Sequence, residues 1–363
     1  MRILHVINTL CVGGAENLLT EIIPLQNKEN IADILLLNGI MTPLKKQLED
    51  NNYSIYSIDI NNNIYNPIII FKIIPYLKKY DLVHVHLFPA QYWVVFAKLI
   101  SLSKIKIITT EHNTDNRRRH IYVFKYIDMF IYSMYDKVIC VSDKTKTNLI
   151  SYIGLEYNTI TIYNGINIFK YLNAPVADRR EILDLDETVI VVTMVAGFRA
   201  SKGQLTLIKA ISNLPDNFHL VLVGDGIYRK KCELLVTELN IVNQVHFLGI
   251  RTDVPELLKM SDIIVMSSHY EGLSLSSIEG MSVNKPFVAS DVDGLHEVVT
   301  GAGILFQENN NIELSRILYK LSVDKNMSLQ IANKCLQRAK NYDINIMIDN
   351  YIKVYKSVLY LPD

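Results

Sequence analysis

An α/β fold of two doubly wound halves is what this sequence predicts, and three observations carry it. Short β-branched runs alternate with longer amphipathic stretches from end to end. The runs are apolar at successive positions, as suits parallel strands covered by helices on both faces. The 363 residues exceed the ~100–200 of one compact domain, so two Rossmann-like domains in tandem are expected.

In the first half the strand-like runs are RILHVI (2–7), DILLLN (33–38), LVHVH (82–86), IKIITT (105–110), KVICVS (137–142) and TITIYN (159–164). In the second they are VIVVTMV (189–195), HLVLVG (219–224), VHFLG (245–249), IIVMSS (263–268) and PFVAS (286–290). The first domain is predicted to span 1–167, ending with NGIN. Asn173 to Asp178 contains Pro175 and lacks periodicity, as a linker does, and the second domain is predicted over 168–340. Ile344, Met347, Ile348, Tyr351, Ile352 and Tyr355 have helical spacing, so 341–363 is predicted to hold a final helix packing back on the first domain.

With 49% hydrophobic residues, the chain can bury enough surface to fold, which excludes disorder. Cys11, Cys140, Cys232 and Cys335 form no CxxC, which argues against a disulfide scaffold and a structural zinc. No run approaches ~18 apolar residues, and the first is too short for a signal peptide. A cytoplasmic protein is expected, peripheral at most at the inner face of the membrane. The 37 basic and 37 acidic side chains cancel, which argues against nucleic-acid binding. Residues 1–167 nevertheless hold 17 basic and 14 acidic groups, net +3, against 20 and 23, net −3, in the remainder.

Three segments carry chemistry. RILHVI runs through Gly13-Gly14-Ala15-Glu16 into a helical pattern. A strand, glycine turn and helix N-terminus form an anion site, because unpaired amides and the helix dipole point at the ligand; a plain tight turn is the other reading. Gly197 to Gln204 follows the strand at 189–195 and places Arg199 and Lys202 three apart. A guanidinium and an ammonium there could clamp a diphosphate, or be solvated loop charges. Ser267 to Met281 follows IIVM and opens a helix, so the amides of Gly272, Leu273, Ser274 and Leu275 could receive an anion. Glu271 and Glu279, eight apart, suit vicinal sugar hydroxyls better than a metal. A glutamate favouring the helix dipole plus a surface glutamate is the plainer alternative.

Together these segments resemble the retaining glycosyltransferases of family 4, which have the GT-B fold. The matching pieces are GGAE (13–16), TTEHN (109–113), VSDKTK (141–146), NGIN (164–167), GFRASKG (197–203), VGDG (223–226), FLG (247–249), YEGLSLSSIEGM (270–281) and GLHEVV (294–299). The resemblance spans nearly the whole chain. It implies two Rossmann-like domains facing each other across a cleft, acceptor on the first and nucleotide-sugar donor on the second. Arg199 and Lys202 match the pair that neutralises the departing nucleoside diphosphate. Glu279 matches the carboxylate on the ribose hydroxyls, and Glu271 the one contacting the donor sugar. Gly14, with Gly13 beside it, matches the glycine whose backbone faces the donor phosphates. His112 matches the active-site histidine, and His84 and His86 are expected to line the acceptor side.

Leu273 and Ser274 stand where the family often has phenylalanine and glycine, Gly280 where alanine is common, and His296 where proline is frequent. The phosphate and ribose contacts are expected to survive these departures, with donor identity open. The resemblance implies net retention by front-face substitution, without an established covalent intermediate. No cofactor and no metal are expected: Asp291-Val292-Asp293 spells DxD, but Arg199 and Lys202 take the role an ion would fill.

Residues 98–146 carry ten basic and five acidic groups, with Arg117, Arg118 and Arg119 at the centre and an aromatic amphipathic stretch after them. Anionic lipid headgroups or a phosphate-bearing acceptor would suit this surface; a core helix behind solvated charges is the alternative. HNTDNRRR resembles family members that build capsular or O-antigen polysaccharide. The expected function is thus transfer of a hexosyl or N-acetylhexosaminyl group from a UDP-type nucleotide sugar to a glycan or polyprenyl-diphosphate-linked acceptor. A catalytically silent sugar- or polyprenyl-phosphate-binding subunit, or an epimerase of the same fold, stays open.

Overall fold

The structure, a computed structural model, describes residues 1–11, 13–60, 63–112, 119, 121–154, 156, 158–186 and 188–360. The chain forms two compact units, Met1–Asn164 with Ile344–Asp363, and Gly165–Asp343. Each is a parallel sheet covered by helices, which is why its strands read as continuous apolar runs.

The first sheet comprises β1 (Arg2–Ile7), β2 (Ile31–Leu36), β3 (Ile55–Ser57), β4 (Leu82–His86), β5 (Lys106–Glu111), β6 (Lys137–Cys140) and β7 (Thr159–Thr161). Among the described residues their order is β3-β2-β1-β4-β5-β6-β7, so the winding reverses between β1 and β4. His5 of β1 lies in register with His84 of β4, and His86 with Thr110 of β5. The second sheet holds β8 (Ile190–Val195), β9 (Phe218–Val223), β10 (Val245–Gly249), β11 (Ile263–Met266), β12 (Phe287–Ser290) and β13 (Ile304–Phe306), ordered β10-β9-β8-β11-β12-β13. Its reversal falls between β8 and β11. In open α/β sheets ligands bind beyond the strand C-termini at such reversals. The loops leaving β1, β4, β8 and β11 are therefore the places to look.

The helix Ile344–Tyr360 belongs to the first unit, where Met347, Ile348, Tyr351 and Tyr355 pack with Ile3, Leu18, Ile22, Leu82 and Ile108. The boundary falls after Asn164 rather than Asn167, because Ile166 donates its amide to the Tyr342 carbonyl and joins the second core. The second unit likewise runs to Asp343 rather than 340. The stretch expected as a linker is flanked by short helices, Ile168–Leu172 and Arg179–Leu183. Asp178 caps the latter, and the buried Arg179 guanidinium binds Asp262 at 3.0 Å.

Candidate functional site

In the second unit, three loops hold each other. Gly224 and Gly226 have φ of 130° and 155°, and a Cβ on either would come within 2.2 Å of the Ala196 carbonyl or 2.4 Å of the Phe198 carbonyl. The loop after β9 thus lies directly against Ala196-Gly197-Phe198, and Phe198 donates its amide to the Asp225 carbonyl at 3.0 Å. On its other side the loop after β8 meets the loop after β11. His269 donates its amide to the Ser201 carbonyl at 2.8 Å, and Ser267 its hydroxyl to the Gly203 carbonyl at 2.9 Å. Gly203 sits at φ 65°, where a Cβ would be 1.9 Å from the Ser267 carbonyl oxygen. Gly203→Ala is expected to cost about 2–4 kcal/mol from left-handed strain plus overpacking, read as a lowered urea midpoint. An unchanged midpoint would contradict this loop contact.

These contacts bring Lys202 and Glu271 together: Lys202 Nζ lies 2.5 Å from Glu271 Oε1, which also accepts from Ser268 Oγ at 2.6 Å. Glu271 is buried, and Arg199 is exposed. The helix begins at Leu275 and not near Gly272, because Ser274 is its N-cap, accepting from the Ser277 amide. Glu271, Gly272 and Leu273 are therefore loop residues ahead of the helix, and Glu279 lies half-buried within it. The first-turn amides of Leu275 and Ser276 are the ones at the helix N-terminus. Gly280 answers to close helix–sheet packing, since a Cβ there would lie 2.8 Å from the Phe287 ring and 2.9 Å from Ile264.

In the first unit, Gly13 has an extended backbone and precedes the helix Gly14–Gln26, whose N-terminus has no side-chain cap among the described residues. Gly14 is exposed, and a Cβ there would meet nothing within 4 Å. Internal packing does not require a glycine at 14.

The histidines differ from expectation. His84 and His86 are buried, so neither lines a surface. His84 Nδ1 meets the Tyr355 hydroxyl at 2.8 Å and its Nε2 the Thr110 hydroxyl at 2.7 Å. His86 Nε2 meets His5 Nδ1 at 3.1 Å, and its Nδ1 meets His112 Nε2 at 3.1 Å. Both rings are thus spent on internal partners, and His112 alone of the three expected histidines keeps some exposure. Burial pushes the His5 and His112 pKa values down to about 4 and lowers those of His84 and His86. His5, Gln26 and Tyr355 belong to the cluster but carry no sequence signal of it, because strand register and the return of the last helix bring them there.

Arg119 is also internal. Its Nη2 lies 3.6 Å from Glu111 Oε2, with side-chain exposures of 7% and 4%, and its guanidinium stands 5.6 Å from the Tyr152 ring centroid. The buried Glu111 carboxylate draws its side chain inward, away from the solvated patch that the run of arginines suggests. Arg117 and Arg118 lie outside the described residues. The helix Tyr122–Ser133 exposes Tyr122, Val123, Tyr126, Ile127, Met129 and Phe130 to solvent. Its sole acid, Asp128, is buried, accepting from the Tyr92 and Tyr152 hydroxyls.

Asp291 of the DxD triplet binds His296 Nδ1 at 2.6 Å. Among the described residues, the set of three ligand-type side chains close enough to share an ion is His5, His84 and His86, whose ligand atoms approach within 4.8 Å. Hydrogen bonds already occupy those ring nitrogens. No helix among the described residues is long and apolar enough to cross a membrane.

Residues 12–169 match the family model described as Glycosyltransferase Family 4, and residues 176–341 that of Glycosyl transferases group 1. A Campylobacter jejuni N,N'-diacetylbacillosaminyl-diphospho-undecaprenol α-1,3-N-acetylgalactosaminyltransferase is 30% identical over 65% of this chain and 62% of its own length. An Escherichia coli UDP-Gal:α-D-GlcNAc-diphosphoundecaprenol α-1,3-galactosyltransferase is 24% identical over 89% and 88%. Anabaena HepE in complex with UDP superposes at a TM-score of 0.84 with 23% identity, covering 98% of this chain and all of that one (100%). A glycosyltransferase from Rickettsia africae reaches 0.85 with 24% identity, over 99% of each chain. Two Rossmann-like sheets, the three interlocked loops of the second unit and matches along nearly the whole sequence agree: the chain belongs to the family 4 glycosyltransferases, with the GT-B fold.

Proposed function

We propose that the chain transfers a hexosyl or N-acetylhexosaminyl group, with retention, from a UDP-sugar to a glycan or polyprenyl-diphosphate-linked acceptor in bacterial surface polysaccharide synthesis. The observation that carries the donor assignment is the Lys202–Glu271–Ser268 cluster at the β8/β11 reversal. The two diphosphoundecaprenol-directed relatives support the acceptor class. UDP bound to the HepE neighbour supports the nucleotide.

Breaking a glycosidic bond to a diphosphate leaves a cationic sugar and adds one negative charge to the departing nucleoside diphosphate, so the protein must supply fixed positive potential at the leaving group. Lys202, held in place by Glu271, and the exposed Arg199 supply it, with the amides of Leu275 and Ser276. Glu279 binds the ribose hydroxyls and Glu271 the sugar. Gly13 and Gly14 open the N-terminus of the helix Gly14–Gln26, which has no side-chain cap among the described residues, to a phosphate, and the neutral His112 binds a sugar hydroxyl. Lys202 and Arg199 take the role an ion would fill, so EDTA is expected to leave the rate unchanged. A panel of UDP- and GDP-sugars with a lipid-linked acceptor, read by mass spectrometry, tests the reading. Transfer from one or more UDP-sugars is expected, and transfer from none would contradict it.

The exposed apolar face of Tyr122–Ser133 is the membrane-facing side of the first unit. With Asp128 buried, the half-buried Lys125 is the helix's other charged side chain, a pattern that fits an anionic lipid surface. Tyr122→Ser with Phe130→Ser is expected to reduce co-sedimentation with phosphatidylglycerol vesicles at least about tenfold, with the circular dichroism of the wild type retained. Undiminished sedimentation would contradict it.

A further inference from the structure

The buried histidines of the first unit form one hydrogen-bonded chain whose direction is set at its inner end. Gln26, the last residue of the helix Gly14–Gln26, is fully buried. Its Nε2 donates to the Tyr355 hydroxyl at 3.2 Å, and its Oε1 lies 2.7 Å from His5 Nε2. A carboxamide oxygen only accepts, so His5 carries its proton on Nε2 and leaves Nδ1 bare. The contact from His5 Nδ1 to His86 Nε2, 3.1 Å, then has His86 as donor. His86 Nδ1 is left bare in turn, and His112 Nε2 donates to it across 3.1 Å. The orientation of one amide thus fixes three rings in succession, provided each holds a single proton.

That condition is met. Burial lowers the proton affinity of His5, His86 and His112 well below neutral pH. The branch through Tyr355 is compatible: its hydroxyl accepts from Gln26 and donates to His84 Nδ1, while His84 Nε2 donates to Thr110. An apolar core would need none of these groups. His86 ends β4 and His112 follows β5, beside the β1/β4 reversal where ligands meet such sheets.

We propose that Gln26 is a positioning residue: through His5 and His86 it holds His112 as the Nε2–H tautomer, so that the bare Nδ1 accepts a hydrogen bond from a hydroxyl of the bound sugar. The inference rests on the reading of His112 as a sugar-contacting residue. Which ring nitrogen carries the proton decides whether an imidazole accepts or donates there. A residue with no contact to substrate thereby sets the polarity of one that has it.

Long-range proton–nitrogen spectra of the full chain, labelled with ¹⁵N-histidine at pH 7.5, read the tautomer directly. The His112 resonances are assigned by their loss in His112→Asn. The expected wild-type result is a protonated Nε2 and a bare Nδ1 at His112. In Gln26→Met the constraint is removed, and a populated Nδ1–H form at His112 is expected, with kcat down about tenfold and donor KM within about twofold. An Nδ1–H tautomer in the wild type overturns the proposal, whether or not the variant folds. So does an unchanged His112 tautomer in folded Gln26→Met, or a changed tautomer with wild-type kcat. The spectra need no turnover, so a chain that transfers no sugar would defeat the functional reading and leave the tautomer result standing.

Discussion

Lys202→Ala is expected to lower the turnover of sugar transfer by about 10²–10³-fold, the range typical of removing one pre-positioned electrostatic contact to a charge that develops in the transition state. Lys202 is the cation that the fold itself aims. Its ammonium is fixed 2.5 Å from Glu271, on a loop pinned by Ser267 and His269. The same substitution leaves the buried Glu271 carboxylate to the Ser268 hydroxyl, so a stability loss of about 1–3 kcal/mol accompanies it. Glu271→Gln in the same background relieves that burial cost and restores stability without restoring turnover. Near-wild-type kcat in folded Lys202→Ala would remove Lys202 from the donor site.

Acidification from pH 7 to 5 is expected to destabilise the first unit by several kcal/mol. His5 and His112 bind a proton near pH 6.5 when unfolded but only near pH 4 when folded. Between those values the unfolded state holds more protons, so stability is full above about pH 6.5 and falls as the pH drops towards 4. At pH 5 each of the two contributes a loss of ~2 kcal/mol, and His84 and His86 shift in the same direction. Trp93, the single tryptophan, lies in the first unit and donates its indole N–H to the Ile64 carbonyl. Its fluorescence therefore reports the unfolding of that unit in urea. A midpoint that is the same at pH 7 and pH 5 would contradict the neutral histidine cluster.

The α/β architecture was legible because strands buried on both faces write themselves as uninterrupted apolar runs. β3 and β13, three residues each, were not; β7 is as short but was read because TITIYN prolongs its β-branched run. The helices Ile168–Leu172 and Arg179–Leu183 escaped for the same reason, five residues apiece. Their caps, Asn167 and Asp178, were the available signals.

For the site, proximity in sequence was a good guide and proximity in space was not. Lys202 and Glu271 sit on the loops leaving two strands that flank one reversal, so their meeting could be read from strand-end position. The histidines could not be sorted that way. Whether a side chain at a strand end faces solvent or a neighbour depends on register, and His5, His84 and His86 turn into one another. Arg119 misled for a related reason. A run of three arginines reads as a solvated patch, but Glu111 at the end of β5 draws the third one inside. Gly280, a departure from the family pattern, follows from the size of Phe287 beneath it.

The donor assignment is tested most directly by calorimetric titration of UDP into the full chain and into Lys202→Ala and Glu279→Ala. Saturable binding to the wild type is expected, weakened at least about tenfold in each variant, as loss of a charge-assisted contact implies. No binding to the wild type, or equal binding by all three proteins, would contradict a nucleotide-sugar site on the loops after β8 and β11.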